Sequence, residues 1–322
     1  MLLRELSRNE VAARLKGDGV RVRMGPFVLK LGTTLPELID PIHLLYHHYR
    51  VEPADAFADF DIHVGPRTLR QRLLGKHVEF RLENMKKFDP FERRIALPML
   101  EWIVNWCVFT RPHQYLILHS AVVERHGHAV ILPGQPGAGK STLCAALNLR
   151  GWRLLSDEVA MMRAPDIQLI PVPRPIGLKE GSIDVIRRFE PTAVLGPSTP
   201  GTRKGTVAHI QVDAMSLQRA SETAAPRLIV FPSWRKDAPV ELKPYSKARA
   251  LYRIASDAFN FSILGSTGFE TLASLVDACD CHTLTYGHLD EAIATLNQLI
   301  DIAPTQDRNI AAKPANNMRL TG

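Results

Sequence analysis

Residues 134–141 read Gly-Gln-Pro-Gly-Ala-Gly-Lys-Ser, which satisfies the spacing G-x-x-x-x-G-K-[ST]. That spacing serves to cradle a chain of phosphates. Gly134, Gly137 and Gly139 let backbone N–H groups curl around phosphate oxygens, the Lys140 ammonium neutralises charge on the outer phosphates, and the Ser141 hydroxyl is suited to ligating magnesium. Gln135, Pro136 and Ala138 complete the loop. Thr142 is expected to begin a helix through Leu143-Cys144-Ala145-Ala146-Leu147, whose positive dipole end faces the anion.

Asp157 and Glu158 follow Lys140 by 17 and 18 residues, at the end of the short apolar run that starts at Trp152. We expect that run to be a strand beside the phosphate-loop strand, one helix away. One carboxylate would then hold magnesium together with Ser141, and the other would take the proton of an attacking hydroxyl. A surface or helix-capping acid pair is the competing reading. Arg174, Arg203 and Lys204 are candidate clamps on phosphate charge.

The elements that must position these groups can be read around them. Residues 115–123 and 129–132 are apolar runs separated by the charged turn Glu124-Arg125-His126-Gly127-His128, a β-hairpin that feeds directly into the phosphate loop. His119 lies on that hairpin and shares a strand face with Ile117, Ala121 and Val123, so a buried core histidine is a real alternative to an active-site one. Further strands are predicted over 168–172, 206–212, 227–231 and 283–286, with helices over 182–188, 247–259, 268–279 and 289–300. The Pro- and Gly-rich stretch 191–205 reads as a mobile loop, and the polar tail 304–322 as disordered.

Residues 1–112 read as a small α+β unit: extended over 20–31, 60–64 and 77–82, helical over 35–49 and 91–109. The predicted organisation is therefore this N-terminal unit, an α/β phosphate-loop unit over 113–303, and the tail. His43 and His47 share a helix face, a geometry metals use, but no third ligand stands beside them. Cys279-Asp280-Cys281-His282 is too cramped for a zinc site, and strand cysteines are the expectation.

Composition narrows the function classes. The 322 residues are 45% hydrophobic and 23% charged, as in globular proteins, and the formal charge of +7 is dispersed without a nucleic-acid reader motif, so no nucleic-acid partner is expected. Cys107, Cys144, Cys279 and Cys281 contain no C-x-x-C pair, which suits reduced thiols in a cytoplasmic protein. Arg4, Glu5, Arg8 and Glu10 leave no room for a signal h-region. The apolar window 99–109 is broken by Glu101 and Asn105, so it reads as a core helix and no membrane partner is expected. N-K-x-D and L-S-G-G-Q are both absent, which disfavours a regulatory GTPase and an ABC-type ATPase.

Taken together, Leu118-His119, the hairpin, the loop 134–141 and Arg150-Gly151-Trp152-Arg153-Leu154-Leu155-Ser156-Asp157-Glu158 resemble the catalytic domain of the HPr kinase/phosphorylase-like family, and look closest to its HprK-related kinase branch. The resemblance is close over residues 115–162 and looser to about 300. It implies a P-loop kinase with a PEP-carboxykinase-like catalytic domain, using ATP and Mg2+ to phosphorylate a serine-type hydroxyl on a protein, peptide or small molecule. His119 then matches the family's hairpin histidine, Lys140 and Ser141 its phosphate-loop lysine and magnesium serine, and Glu158 its catalytic aspartate, with Asp157 just before it. Two departures stand out: a glutamate replaces that aspartate, and Glu180 is the sole weak substitute for the family's downstream metal-binding glutamate. A nucleotide-binding regulatory module without phosphoryl transfer is the alternative that these departures motivate. Homo-oligomerisation is left open.

Overall fold

The computed structural model describes residues 1–82, 88–164 and 166–301. The tail predicted to be disordered lies outside these residues. The N-terminal region runs α1 (Arg8–Lys16), β1 (Val20–Met24), β2 (Phe27–Thr33), α2 (Ile39–Leu45), β3 (Phe60–Gly65), α3 (Leu69–Leu74), β4 (His77–Leu82), β5 (Phe91–Glu92) and α4 (Ala96–Thr110). Its five strands form one sheet in sequence order, antiparallel except for the parallel β2–β3 pair. Ser7 and Glu10 start α1 with a reciprocal capping box, satisfying N–H groups that the first helical turn leaves open.

The remainder runs β6 (Tyr115–Arg125), β7 (His128–Pro133), α5 (Lys140–Leu149), β8 (Arg153–Ser156), β9 (Val159–Arg163), β10 (Leu169–Ile170), β11 (Ile176–Lys179), α6 (Gly181–Phe189), β12 (Thr199–Thr202), β13 (Gly205–Ile210), α7 (Ala214–Gln218), β14 (Ala225–Trp234), β15 (Glu241–Pro244), α8 (Lys247–Ser256), α9 (Phe261–Ala278), β16 (Asp280–Tyr286) and α10 (Leu289–Asp301). An eight-stranded mixed sheet has the order β10-β9-β6-β7-β14-β16-β15, with β8 also paired to β6. A separate three-stranded sheet, β11-β13-β12, lies beside it.

Alternation decides which face each strand residue covers. Ile117, Ala121, Val123, Val130 and Leu132 join the buried cluster that contains α5 and α10, whereas Leu116, Leu118, Val122, Ala129 and Ile131 join the one that contains α8 and α9. The first cluster also takes in Leu29, Leu31, Ile62, Ile103 and Val104, so the N-terminal sheet and α4 share an apolar core with α5, the helix after the glycine-rich turn. Among the described residues no helix is long and apolar enough to cross a membrane. All four cysteines are free and buried.

Several sequence expectations need correction. Residues 191–205 are not a mobile loop throughout: β12 pairs with β13 as a hairpin turning at Arg203-Lys204. The predicted helix over 35–49 is confined to α2 and a preceding 3-10 turn, because Tyr46 and Tyr49 leave the helix to pack in the core with tilted rings 4.8 Å apart. Residues 91–95 form a short strand and a 3-10 turn before α4 begins. The helix after the glycine-rich turn starts at Lys140, two residues before Thr142.

Candidate active site

Between β7 and α5 the chain turns tightly at Gly137 (φ 90°) and Gly139 (φ 88°), a left-handed backbone that glycine adopts without steric cost. The turn is tied down from the neighbouring parallel strands. Trp234 donates its backbone N–H to Ala138 O at 3.0 Å, and the Tyr286 hydroxyl donates to Gly139 O at 3.2 Å. A side chain at Gly139 would bring a Cβ 2.9 Å from Trp234 Cβ and closer still to the Tyr286 hydroxyl, while nothing lies within 4 Å of the same position on Gly137. The arrangement is packed on one side and open on the other.

Lys140 opens α5 and is 8% exposed, and its Nζ has no hydrogen-bond partner. Burial lowers its pKa, opposed by Glu158, Asp157 and Asp257. A buried ammonium without an acceptor is costly. Its position at a helix N-terminus, at the end of the glycine-rich turn, is one where an anionic ligand would supply the acceptors. A phosphate chain therefore fits the residues present.

The acid pair sits on a different neighbour from the one anticipated. The strand carrying it pairs with the hairpin strand β6, not with β7: β8 lies against Val122–Glu124, β9 against Tyr115–His119, and the Asp157-Glu158 bend falls between them. The Ser156 hydroxyl accepts the Val159 N–H at 3.1 Å and holds the bend. Because Val159 is registered opposite His119, the bend brings Glu158 to the histidine as well as towards Lys140, and both charges act on the His119 ring.

The two acids have different surroundings. Asp157 is buried, accepting from Arg174 at 3.3 Å and from the Gly177 N–H at 3.2 Å, and burial raises its pKa to about 6. Glu158 accepts from Asn105 Nδ2 at 2.7 Å and has Arg174 at 3.6 Å and Lys204 at 3.9 Å. Burial works against its charge, but Arg174, Lys204, Lys140 and His119 prevail and hold its pKa below the usual value. The Glu158 side chain is 29% exposed against 2% for Asp157, so Glu158 alone can meet a substrate. His119 is half-buried with its pKa lowered, first by burial and then by Lys140. It faces Phe259 at 5.6 Å between ring centres.

Arg174 is the electrostatic centre of this cluster. Burial penalises its charge, yet Asp157, Glu158 and Glu101 together raise its pKa. Its guanidinium also donates to the Glu101 backbone carbonyl at 3.3 Å. Of the other proposed clamps, Lys204 reaches the site from the β12–β13 turn, and Arg203 is exposed beside it. Glu180 is spent on the same hairpin, accepting the Thr206 N–H at 2.7 Å.

Asn105, Glu101 and His209 were missed as site residues. Asn105 and Glu101 lie four apart on α4, and each is at most 8% exposed. The signal was present: two polar groups on one face of an apolar helix must find buried partners. His209 on β13 is registered opposite Gly177, and burial and Arg174 push its pKa down to about 4.

Magnesium fits less well than phosphate. Asp157 has both oxygens engaged, and among the described residues no group of three or more His, Cys, Asp or Glu side chains could hold an ion. The same holds for His43 and His47, whose rings are 6.0 Å apart.

No family model and no curated protein matches this chain. Among solved structures, the Hpr(Ser) kinase/phosphatase from Coxiella burnetii aligns with 15% identity and a TM-score of 0.26, covering 57% of this chain and 97% of that one. A likeness at that level assigns no fold family and no activity to this chain.

Proposed function

We propose that the chain is an ATP-dependent phosphotransferase acting on a serine-type hydroxyl, with residues 113–303 as its catalytic unit and residues 1–112 as a supporting one. The observation that carries this reading is Lys140 Nζ, buried without a partner at a helix N-terminus and within electrostatic reach of an ionised Glu158. Lys140 and the backbone N–H groups of Gly137, Gly139, Ser141 and Thr142 hold the β and γ phosphates, with Gly134, Gln135, Pro136 and Ala138 shaping the turn around them. Glu158 takes the proton as the acceptor oxygen bonds to the γ phosphorus and the bond from phosphorus to the ADP oxygen breaks.

Asp157 holds Arg174, and Arg174 keeps Glu158 ionised and adds positive charge near the transferring group. His119 is neutral at neutral pH and orients Glu158 or the γ phosphate. Magnesium bound to phosphate oxygens, water and the Ser141 hydroxyl would supply further charge neutralisation. Asp157 serves as a positioning residue in this reading, because its oxygens are already taken.

Nucleotide titration and turnover test the proposal together. Lys140→Ala should lose nucleotide binding, while Glu158→Gln should keep binding and lose transfer; retained tight ATP binding in Lys140→Ala would refute the assignment. The engagement of Asp157 and Glu180 favours a second reading, a nucleotide-gated module without transfer. Bound ATP that is never turned over, with any hydroxyl acceptor or with water, would select it.

A further inference from the structure

A cleft of about 470 Å³ opens beside the glycine-rich turn, lined by Gln135, Tyr245, Arg249, Tyr252, Arg253 and Asp257 among others. It adjoins the end of the site where phosphoryl transfer is proposed. Gln135 belongs to the turn and donates to Asp257 Oδ1 at 3.3 Å, and the His119 backbone N–H donates to Asp257 O at 3.0 Å. Asp257 is close enough to act electrostatically on both Lys140 and His119. Its Oδ2 is buried without a donor. That vacancy suits a hydroxyl or amide N–H brought by a ligand.

The opposite wall is cationic and aromatic. Arg249 and Arg253 stand four residues apart on α8 and so share a face. The Arg253 guanidinium is fixed over the Phe231 ring, 4.6 Å from its centre. Among the described residues neither arginine has a carboxylate partner. Tyr252, on the cleft wall, is 79% exposed, and Phe259 and Ile263, further along the chain, are 39% and 62% exposed. Phe259 is stacked on Phe109 at 4.5 Å and is thereby rigid. A small acceptor would need only the cleft. The continuation along α8 and the start of α9 matches a longer, extended chain.

The geometry points to an acidic peptide as the phosphoryl acceptor, its carboxylates on Arg249 and Arg253 and its hydroxyl at the Asp257 end, facing Glu158. This deepens the phosphotransferase reading and rests on it for the word acceptor; docking of the peptide does not. Unpaired arginines offer bidentate donors to carboxylates, and tyrosines supply contact area at low entropic cost.

The test uses the full chain and two fluorescein-labelled peptides, Glu-Glu-Ser-Glu-Glu and its neutral counterpart Gln-Gln-Ser-Gln-Gln. Binding by anisotropy should favour the acidic peptide by roughly threefold to tenfold at low salt, as expected for arginine–carboxylate contacts at an exposed and a half-buried position. The double variant R249Q/R253Q should erase that preference. R187Q/R188Q on α6, on the opposite face of the sheet, should leave it intact and so controls for the net positive charge of the chain.

Equal binding of the two peptides, no binding of either, a preference that survives R249Q/R253Q, or equal loss in the α6 variant would each overturn the proposal. If R253Q fails to fold by circular dichroism, R249Q alone carries the comparison. Transfer from ATP to the peptide serine is measured alongside. A docked acidic peptide that stays unphosphorylated while ATP is bound overturns its role as the acceptor and leaves the docking site standing, whereas bound ATP that no hydroxyl acceptor and no water turns over overturns the phosphotransferase reading.

Discussion

Asn105, on a helix of the N-terminal region, donates its amide N–H to Glu158 at 2.7 Å across 53 residues of sequence. The bond occupies Oε2 and leaves Oε1 on the side of Lys204. It makes the N-terminal region a structural partner of the site, although that region contributes no residue to the glycine-rich turn. Replacing Asn105 with Ala should release the carboxylate to swing towards Arg174. We expect intrinsic ATP hydrolysis to fall by about tenfold to a hundredfold, the range for losing a charge-assisted hydrogen bond that orients a base. Nucleotide affinity should barely move, because Asn105 does not touch the turn. Steady-state rates paired with a nucleotide titration check this, and an unaltered rate would remove Asn105 from the mechanism.

Gly139→Ala tests the turn itself. At φ 88° an L-residue is strained by about 1–2 kcal/mol, before its Cβ meets Trp234 and Tyr286. Trp234 Cβ is fixed to a central strand and cannot yield. The variant should lose nucleotide binding and melt at lower temperature, and Gly139→Ala with Tyr286→Phe should recover only part of the loss. Calorimetric melting with and without ATP reads both effects. A variant that binds ATP as the wild type does would show that the turn is not the phosphate cradle.

The strand, turn and helix around residues 129–149 were legible because each rests on local rules: an apolar run, glycines where φ must be positive, a helical apolar face. Pairing was not local. Nothing in Trp152–Ser156 says whether that strand joins β7 or β6, and the choice of β6 becomes visible only when Val159 is seen opposite His119. β11 was not among the predicted strands, and Pro173 and Pro175 stand just before it. β12 was hidden by Pro200 and Gly201, which are tolerated where a short edge strand pairs with β13. Glu101 and Asn105 were read as interruptions of an apolar helix, when the demand of buried polar groups for partners pointed at the site.

Lys204 tests the electrostatics of Glu158. It sits on a two-residue turn, 3.9 Å from the carboxylate, with its side chain 64% exposed. Its charge helps hold the Glu158 pKa down, so Lys204→Ala should raise that pKa. Transfer needs ionised Glu158, and the acidic limb of the rate profile should therefore move to higher pH. Solvent screening keeps the shift small, and about 0.5 M salt should abolish the difference between variant and wild type. A limb that stays in place would mean that another group titrates there.

Glu101 contributes to the pH dependence of stability in the same direction as Asp157, whose pKa burial also raises. It is fully buried between Tyr46, whose hydroxyl donates at 3.0 Å, and Arg174 at 3.7 Å, and burial raises its pKa from 4.5 to about 7. A carboxyl whose pKa is higher folded than unfolded binds its proton more tightly in the native state. Its contribution is complete below the unfolded pKa and is lost as pH rises through the folded one. Between about pH 4.5 and 7 the native state should lose on the order of 3 kcal/mol from this group. Glu101→Gln keeps the shape and removes the titration, so the variant should gain on the wild type as pH rises from 5 to 8. Denaturant melts of both proteins at the two pH values check the sign; an equal difference at each pH would mean that Glu101 does not change its protonation in the folded protein.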